Sequence, residues 1–393
     1  MIASVCMVVH SYCPDDPRVR REAEALAATG TKVDVICLRN EGESARETVN
    51  GVRYLRLPVR RKRGGIVRYL LEYGAFFIAA FFMTSWLSFQ NRYDVFQAHN
   101  MPDVLVFCGL IPRLRGAKIV LDLHDLVPEV YAAKYELKEG SKALRLLCFV
   151  ESISLAAADL IITTSIAFRD RLIERGVPRE KIEIVLNSPA ESIFPEEEPW
   201  TGPAGDAFHL IYHGTVVHRS GLDFAIRAVA ALGEEMPGLD LTICGGGDAE
   251  DDCKRLATEL GVSDRITFHG QRPIEEIPEH IRKCDLGVIP NRLNVFTERN
   301  LPTRIFEYLR MGRPVLVART PGISDYFGED DLLFFEPESV DGLAESIRSA
   351  VQTPDSVQKT LERGRAVYGR YRWAEEQGHY RAVLEALQPP GPA

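Results

Sequence analysis

The sequence predicts an α/β protein built from two doubly wound, Rossmann-like domains that face a central cleft. Its 393 residues fit two domains of ordinary size. Short β-branched runs alternate with longer amphipathic helical patterns, which indicates βαβ units and mostly parallel sheets. A stretch rich in proline and glycine, residues 188–206, interrupts this alternation. Because ligands of such folds bind beyond the carboxyl ends of the strands, we expect the site in the cleft between the domains.

The first domain is predicted to span residues 1–187. A helix is expected within residues 15–30, where Val19, Ala23 and Leu26 form an apolar stripe and Gly30 ends the pattern. The predicted strands of this domain are residues 3–9, 32–38, 52–57, 95–98, 118–123, 160–164 and 182–185.

The second domain is predicted to span residues 207–371, after a linker over residues 188–206. The linker holds four prolines, two glycines and an acidic cluster at 196–198, which is typical of a connecting segment rather than a core. A last amphipathic helix, about 372–388, is predicted to pack back onto the first domain. The predicted strands are 208–212, 239–244, 266–269, 286–289 and 315–317, and the predicted helices are 221–232, 251–260, 277–283, 304–311, 340–352 and 356–371.

Composition narrows the functional classes. Apolar residues make up 46 % of the chain, enough for real cores, and charged residues make up 26 %, which excludes a disordered or fibrous protein. A net charge of −9 argues against a nucleic-acid binder. The eight cysteines are scattered without metal-ligand spacing, which is typical of reduced thiols in a cytosolic protein. The apolar N-terminus lacks a basic region and is expected to be a buried strand rather than a secretory signal.

The segment 300–317 carries the first candidate site. Pro302 suits the first position of a helix, whose free backbone N–H groups favour anions, and Arg304 adds a cation. Glu307 lies about one turn further, near the same face, where a carboxylate can accept both hydroxyls of a ribose. The alternative is a surface ion pair between Arg304 and Glu307, and spacing alone does not decide between the two.

A second candidate is the loop that follows the predicted strand 208–212. Gly214 lies in this loop, a helix begins near Leu222, and a strand–loop–helix unit commonly cradles a diphosphate. Arg219 supplies positive charge there. The alternative is an ordinary turn between a strand and a helix.

Three glycines, residues 245–247, follow the next predicted strand directly. They allow close approach of a ligand or of another backbone. The pattern is not GxGxxG and no acidic residue completes a dinucleotide fingerprint, so an oxidoreductase is poorly supported.

His124 and Asp125 end an apolar strand and are therefore expected at the carboxyl edge of the first sheet. A histidine in such a place is either structural or functional, and the adjacent aspartate leaves both interpretations open. The sequence has no G-x-S-x-G, HExxH or P-loop motif, so hydrolases and kinases lack their characteristic parts.

These four segments, in this order, resemble the retaining glycosyltransferases of family 4, which have the GT-B fold. The resemblance covers nearly the whole chain. It implies that Glu307 holds the ribose, and that His124, with Asp125, faces the donor sugar. It also implies that residues 244–290 form the base-binding region. The residues that the resemblance assigns to the nucleotide and its phosphates are Arg219, Arg304, Glu307, Gly214, Thr303, Asn300 and Leu301.

The sequence departs from the family pattern in two places. The first glutamate of the family's E-x7-E motif falls at Arg299, and Glu298 is one residue early. Either Glu298, Asn300 or the main chain of residues 301–303 is therefore expected at the hydroxyls of the sugar. The usual arginine and lysine of the phosphate loop fall near Thr215 and Ser220, and Arg219 is the expected substitute.

The resemblance implies a hexosyltransferase that moves a sugar, with retention, from a nucleotide diphosphate such as UDP to a lipid-linked or cell-surface glycan precursor. The leaving diphosphate would accept the proton of the acceptor. No DxD motif is placed for a metal, so no metal and no cofactor is expected besides the donor. The alternatives are an epimerase or phosphorylase of the same fold, and a catalytically degenerate scaffold protein.

Residues 53–89 raise the question of a membrane. Seven basic residues and no acidic one lie within 53–68, and an apolar segment of about 14 residues follows, short of the roughly 20 that a span needs. A buried core helix, an interfacial helix against anionic lipid and a transmembrane span remain open. We expect a cytoplasmic enzyme, attached peripherally to the inner face of the cell membrane.

Overall fold

The computed structural model describes residues 2–59, 66–203 and 205–387. The chain divides into two compact units. The first contains the residues up to Asn187 and the segment from Glu375 onward, and the second runs from Ser188 to Ala374. Each unit has its own parallel sheet, so the α/β class and the two-sheet organisation are confirmed.

The first unit has an eight-stranded sheet in the order β3-β4-β2-β1-β5-β6-β7-β8, parallel except for β3 against β4. All seven predicted strands are present within three residues at each end. The strands are β1 (Ser4–Tyr12), β2 (Lys32–Leu38), β3 (Arg46–Val49), β4 (Val52–Leu57), β5 (Val95–His99), β6 (Lys118–Leu123), β7 (Leu160–Thr163) and β8 (Ile182–Ile184).

The edge strand β3 was not predicted. It is a hairpin partner of β4 through the turn Asn50–Gly51, whose φ values of 50° and 80° suit asparagine and glycine. The helices of the first unit that precede the second are α1 (Pro17–Ala27), α2 (Ile66–Gln90), α3 (Leu110–Leu114), α4 (Val127–Tyr135), α5 (Lys142–Ala157) and α6 (Ile166–Glu174).

Helix α1 shows why the predicted pattern holds locally. The side chain of Asp16 accepts hydrogen bonds from the backbone N–H groups of Arg18 and Val19, both at 3.2 Å, and Pro17 occupies the first turn. Val19 and Ala23 are fully buried on the predicted stripe. Capping and the apolar stripe together fix both the start of the helix and the face that it buries.

The second unit has a six-stranded parallel sheet in the order β11-β10-β9-β12-β13-β14. The short edge strand β14 was not predicted. The strands are β9 (Phe208–His213), β10 (Leu239–Cys244), β11 (Ile266–Gly270), β12 (Leu286–Ile289), β13 (Val315–Ala318) and β14 (Leu333–Phe335). The helices are α7 (Leu222–Ala231), α8 (Glu250–Glu259), α9 (Ile277–Arg282), α10 (Thr303–Arg310), α11 (Pro321–Ser324), α12 (Val340–Gln352) and α13 (Pro354–Gly369).

The segment predicted as a linker packs onto the second unit. The indole N–H of Trp200 donates to Asp285 Oδ1 at 2.9 Å, and its backbone N–H donates to the carbonyl of Gly312 at 2.8 Å. Phe194 is 1 % exposed. The two aromatic side chains anchor a stretch whose prolines and acidic residues otherwise favour a loop, so the segment is part of the second unit.

The last helix, α14 (Trp373–Glu385), enters the first unit. Tyr380 is fully buried and its hydroxyl donates to Gln97 Oε1 at 2.7 Å. The carboxylate of Glu376 accepts a hydrogen bond from the backbone N–H of Leu186 at 2.8 Å. The C-terminal segment is thus held by side chains of β5 and by the chain that follows β8.

Helix α2 has two different faces. Phe76, Ala80 and Leu87 are buried, and the helix contacts strands β1, β2 and β4. The opposite face carries apolar side chains that remain exposed. The window Leu71–Gln90 is long and apolar enough to cross a membrane by length and composition, and 33 % of it is buried inside the first unit.

Candidate active site

Arg304 lies at the carboxyl end of the central strand β9. Its Nη1 donates to the carbonyl oxygen of His213 at 2.7 Å. The guanidinium carbon lies 4.6 Å from the centre of the Tyr212 ring, within cation–π distance. A hydrogen bond and a stacking contact therefore fix the direction of this cation, at the edge of the sheet where open α/β folds bind ligands.

Glu307 is one turn further along α10 and is 7 % exposed. Its Oε2 lies 3.2 Å from Nε2 of His213. Burial lowers the pKa of His213 well below its usual range, and the charge of Arg304 adds to that effect, so this ring is neutral. The alternative of a surface ion pair between Arg304 and Glu307 is wrong, because Glu307 is buried.

The start of α10 differs from the prediction by one residue. The helix begins at Thr303, and Pro302 is the N-cap with φ −65° and ψ 121°, rather than the first helical residue. No side chain caps this end. The N–H groups of the first turn therefore have no side-chain acceptor at the cap, which is the arrangement that attracts anions at helix N-termini.

The residues just before α10 form a loop that carries three candidate residues. The side chains of Glu298, Asn300 and Leu301 are all partly exposed. The backbone N–H of Asn300 donates to the carbonyl of Phe296 at 3.1 Å, and Leu301 follows it. Glu298 Oε2 lies 3.4 Å from Nη1 of Arg299, and the carbonyl of Glu298 accepts from Gly322 N at 2.8 Å. The residue that replaces the expected glutamate thus pairs with the glutamate that precedes it.

Arg219 is placed by the loop between β9 and α7. Its guanidinium carbon lies 5.4 Å from the centre of the Phe296 ring, and its carbonyl accepts from Arg292 N at 3.0 Å. The hydroxyl of Ser220 donates to the carbonyl of Thr215 at 2.8 Å, which closes the loop. Within the described residues, the guanidinium of Arg219 makes no ion pair with a carboxylate. The structure thus brings Arg219 against the segment that leads into α10.

Two of the three glycines after β10 lie directly against another backbone. A Cβ on Gly245 would lie 1.8 Å from the carbonyl oxygen of Gly214, and one on Gly247 would lie 2.1 Å from that of Val216. Gly214 N donates to the carbonyl of Cys244 at 2.9 Å. Of the two interpretations of these glycines, close approach of a backbone is the one that the structure shows. Gly245 and Gly247 thus let the two loops pack against each other beside Arg304.

In the first unit, His124 is held by a buried carboxylate of the same strand edge. Its Nε2 lies 3.2 Å from Oδ2 of Asp122, and His99 Nδ1 lies 3.0 Å from the same oxygen. Arg18 donates to Asp122 from both Nε, at 2.9 Å, and Nη2, at 2.7 Å. Burial alone would raise the pKa of Asp122, but Arg18 and the two histidines hold it well below its usual range.

Asp125 contributes to this site through its backbone. The side chain of Asn100 donates to the carbonyl of Asp125 at 2.6 Å and to Oδ1 of Asp103 at 3.0 Å. Asn100 Oδ1 also accepts from the backbone N–H of His124 at 2.8 Å. Asn100, the residue directly after β5, therefore holds the loop that carries His124 and Asp125. His124 is partly exposed at the start of this loop.

Sequence reasoning missed Asp122, Arg18 and His99. A charged residue inside the apolar strand β6 was the available signal, because a buried carboxylate requires a partner. Its partner Arg18 lies on α1, 104 residues earlier in the chain, and no local pattern connects the two. Glu22 extends the network: it accepts from Gln97 at 2.7 Å, and burial raises its pKa to about 7.

Two groups of three side chains in the described ranges have the composition of a metal site. In the first, His99, Asp122 and His124, both carboxylate oxygens already accept hydrogen bonds from Arg18. A cation there would face the guanidinium, so this group fits an anchored histidine better than a metal. The members of the second group are Cys244, His269 and His280.

Comparison with known families identifies the class. The family described as "Glycosyl transferase 4-like domain" matches residues 16–188, and "Glycosyl transferases group 1" matches residues 194–367. Together the two matches cover both units. The chain belongs to the family 4 glycosyltransferases of the GT-B fold. The fold and the family expected from the sequence are confirmed.

Curated relatives carry the same class of activity in their names. A glycogen synthase of Mycobacterium tuberculosis is 27 % identical over 55 % of this chain and 51 % of its own length. The match thus spans about half of that relative. D-inositol 3-phosphate glycosyltransferase 1 of Catenulispora acidiphila is 27 % identical over 77 % of this chain and 73 % of that protein. An uncharacterized glycosyltransferase of Methanocaldococcus jannaschii is 21 % identical over 93 % of both.

Solved structures show the same fold over the full chain. Sucrose-phosphate synthase from Thermosynechococcus elongatus superimposes with a TM-score of 0.76 at 19 % identity, covering 98 % of this chain and 99 % of that one. HepE of Anabaena, in complex with UDP-glucose, gives a TM-score of 0.72 at 15 % identity, covering 98 % of this chain and 100 % of that one. At these identities the likeness establishes the fold.

Proposed function

We propose that the protein transfers a hexosyl group from a nucleoside diphosphate, with retention of the anomeric configuration, to a glycan acceptor. The observation that carries this proposal is the placement of Arg304 and Glu307 at the carboxyl end of β9. The guanidinium of Arg304 is held by a hydrogen bond to the carbonyl of His213 and by contact with the Tyr212 ring. Glu307 is a buried carboxylate one helical turn away. We assign Arg304 to the diphosphate and Glu307 to the ribose hydroxyls.

Uridine is the base that we propose first. Structures of Anabaena HepE hold UDP or UDP-glucose. Other similar proteins name different nucleotides: ADP is bound to the starch synthase IV catalytic domain of Arabidopsis thaliana, and a mannosyltransferase of Mycolicibacterium smegmatis is GDP-mannose-dependent. A panel of UDP, GDP and ADP therefore tests the bases named for these three proteins.

The proposed chemistry is electrostatic. As the bond between the sugar and the diphosphate breaks, negative charge grows on the leaving group, and fixed positive groups stabilise that charge. Arg304, Arg219 and the N–H groups at the start of α10 (Thr303) are the groups that we propose for this role, with Gly214 giving the diphosphate room. The diphosphate then accepts the proton of the acceptor hydroxyl. This scheme uses no metal and no cofactor.

The contacts to the sugar are proposed from the family resemblance. We propose His124 at the sugar, with its ring direction set by Asp122, and Asp125 shaping the same loop. Glu298 pairs with Arg299 through Oε2 and is 38 % exposed in its side chain, so its other carboxylate oxygen is left to accept from a sugar hydroxyl. The side chain of Asn300 and the main chain from Leu301 offer the hydrogen-bond donors at that place.

A transfer assay tests the proposal. The full chain is incubated with each radiolabelled nucleotide sugar and a lipid-linked or short glycan acceptor, and NMR gives the configuration of the product. Glu307→Ala and Arg304→Ala should each remove most turnover, while Arg265→Ala should not. Arg265 is a matched control, because it also donates to a backbone carbonyl, that of Met236 at 3.1 Å, at the amino end of β11.

Unchanged turnover in the two site variants would remove the basis of the assignment. Isomerisation of the sugar in the absence of any acceptor would instead identify an epimerase. An inverted product would contradict retention while leaving the nucleotide assignment intact.

We further propose that the acceptor is lipid-linked and that α2 holds the enzyme at the inner face of the cell membrane. Five large apolar side chains of α2 are 45–70 % exposed. At about 100° per residue they fall within roughly 80° of the helix circumference, so they form one stripe. These side chains are Leu71, Ile78, Phe82, Trp86 and Phe89.

Positive charge borders this apolar stripe. The guanidinium of Arg46 lies 5.7 Å from the Trp86 ring, and that of Arg115 lies 5.5 Å from the Phe89 ring. Cations beside exposed aromatic residues suit an interface with anionic lipid.

Two arginines of the basic segment 53–68 form ion pairs within the first unit. Arg53 pairs with Asp34 at 2.6 Å, and Arg56 is 4 % exposed and pairs with Glu47 at 2.7 Å. Both guanidinium groups are already paired with carboxylates, so the membrane proposal does not rest on them. Arg68 is exposed, and residues 60–63 lie outside the described ranges.

Vesicle flotation tests the membrane proposal. Wild type should float with vesicles that contain phosphatidylglycerol and not with phosphatidylcholine alone. Replacing Phe82 and Phe89 by serine, or neutralising Arg60–Arg63, should abolish flotation, since each removes one of the two attractions. Leu260→Ser, an exposed leucine of the second unit, is the control and should float as wild type does. Absence of wild-type binding would refute the proposal.

A further inference from the structure

A second cluster of titratable side chains lies in the second unit, at the carboxyl ends of β10 and β11. Cys244 ends β10, His269 lies near the end of β11, and His280 is on α9. The ligand atoms of the three side chains all lie within 4.8 Å of one another. Cys244 is buried, and the two histidines are half-buried, so the cluster has an outer side open to solvent.

We propose that Cys244, His269 and His280 form a binding site for a borderline-soft divalent cation, with Zn²⁺ as the best-fitting ion. One thiolate and two imidazoles are a ligand set that Zn²⁺ prefers, and three protein ligands leave the fourth tetrahedral position open for water. Mg²⁺ and Ca²⁺ take oxygen ligands and do not fit this set. The three side chains lie within residues 244–290, the segment that the family resemblance assigns to the base, but no bond-making step of the proposed transfer uses them.

The cluster differs from the other His-containing group of the protein. Asp122 there is already bonded to Arg18, whereas in the described ranges no hydrogen bond or ion pair occupies the ring nitrogens of His269 or His280. The two rings lie 4.5 Å apart with a tilt of 50°, close enough to bind one ion from adjacent positions.

Binding involves a simple exchange at the sulfur. Burial raises the pKa of Cys244 to about 11, so the thiol is protonated at neutral pH without a metal. Zn²⁺ replaces that proton: a Zn–S bond forms, and the proton leaves to the solvent. Arg272 and Lys283 act on His280 as positive charges and Glu279 acts as a negative one, so Glu279 and the thiolate together offset the repulsion of a dication.

Metal titration of the full chain tests this proposal. Zn²⁺ added to the chelator-treated, reduced protein should give a one-to-one isotherm and raise the Tm, while Mg²⁺ should do neither. Co²⁺ used as a probe should show a thiolate-to-cobalt charge-transfer band. Cys244→Ser should abolish that band, and His280→Gln should weaken binding by tenfold or more, since each removes a ligand.

Two matched variants separate this site from adventitious binding. Cys253→Ser removes another buried thiol, on α8, and His209→Gln removes a half-exposed histidine that pairs with Asp240 at the opposite end of β9. Both should bind Zn²⁺ as wild type does. Because His280 is half-buried on a surface helix, His280→Gln should fold even where Cys244→Ser does not. Equal Zn²⁺ affinity in wild type and in His280→Gln, or no Co²⁺ band in wild type, would overturn the proposal.

Discussion

Replacement of Arg304 by lysine keeps the positive charge and removes the planar fork of donors. In the structure one N–H of Arg304 is committed to the carbonyl of His213 at 2.7 Å, and the guanidinium lies over the Tyr212 ring. A lysine has neither the flat face for that stacking nor a second fixed donor direction. We therefore expect Arg304→Lys to lose at least one charge-assisted hydrogen bond to the diphosphate.

The expected size of the effect follows from that bond. A hydrogen bond to a charged group contributes about 1.5–3 kcal/mol, which corresponds to roughly a 10- to 150-fold weaker dissociation constant for the nucleoside diphosphate. The carbonyl of His213 also loses its partner, which should lower the free energy of unfolding by about 1–3 kcal/mol.

Calorimetric titration with UDP and with uridine distinguishes the two effects. If Arg304 binds phosphate, Arg304→Lys weakens UDP and leaves uridine within about twofold of wild type. Arg265→Lys, which keeps a similar bond to a carbonyl at the other end of the sheet, should change neither ligand. An equal loss for UDP and uridine would refute the phosphate assignment, since it would show that the variant only distorts the site.

Three further changes test the architecture. Asp122→Asn should cost up to about 3–5 kcal/mol of unfolding free energy, because it removes the carboxylate that accepts two hydrogen bonds from buried Arg18 and leaves only Glu22, at 3.2 Å, as a charge partner. Asp252→Asn, in an exposed pair, should cost under about 1 kcal/mol in urea titrations. Burial raises the pKa of Asp103 from 3.8 to about 6. The folded state therefore holds the proton of the Asp103 carboxyl more tightly than the unfolded chain does. This protonation stabilises the folded state by up to about 3 kcal/mol below pH 3.8, and the stabilisation is lost as the pH rises through 6. Asp103→Asn should flatten that pH profile, and an unchanged slope would contradict it. Gly247→Ala should lower both Tm and nucleotide affinity, because its Cβ would lie 2.1 Å from a loop carbonyl oxygen.

Regular elements were predictable where local pattern and tertiary burial agree. The strand predicted over residues 32–38 is observed as Lys32–Leu38, because an apolar run begins after Gly30 and six of its residues are buried. Strand β3, Arg46–Val49, was missed since it is mostly exposed and charged, and only its pairing with β4 makes it a strand. The Asn50–Gly51 dipeptide was the signal that could have revealed the hairpin.

The candidate site was predictable only in part, for a physical reason. Arg304 and Glu307 share one short helix, so helical spacing places them near one another. Asp122 and Arg18 are brought together by the sheet order, in which β1 and β6 both flank β5, and by α1, which follows β1. A single sequence contains no local trace of such a long-range pair. The same holds for the contact of Arg219 with Phe296, which depends on two separate loops.

The most direct test of the central claim is the discrimination between UDP and 2′-deoxy-UDP, measured for wild type and for Glu307→Gln. If the buried carboxylate of Glu307 accepts the ribose hydroxyls, wild type should bind 2′-deoxy-UDP roughly 10- to 150-fold more weakly than UDP. The variant, which has lost the charge but kept the shape, should show a ratio of only a few-fold. The same large ratio in both proteins would contradict the account, because the ribose would then be recognised elsewhere.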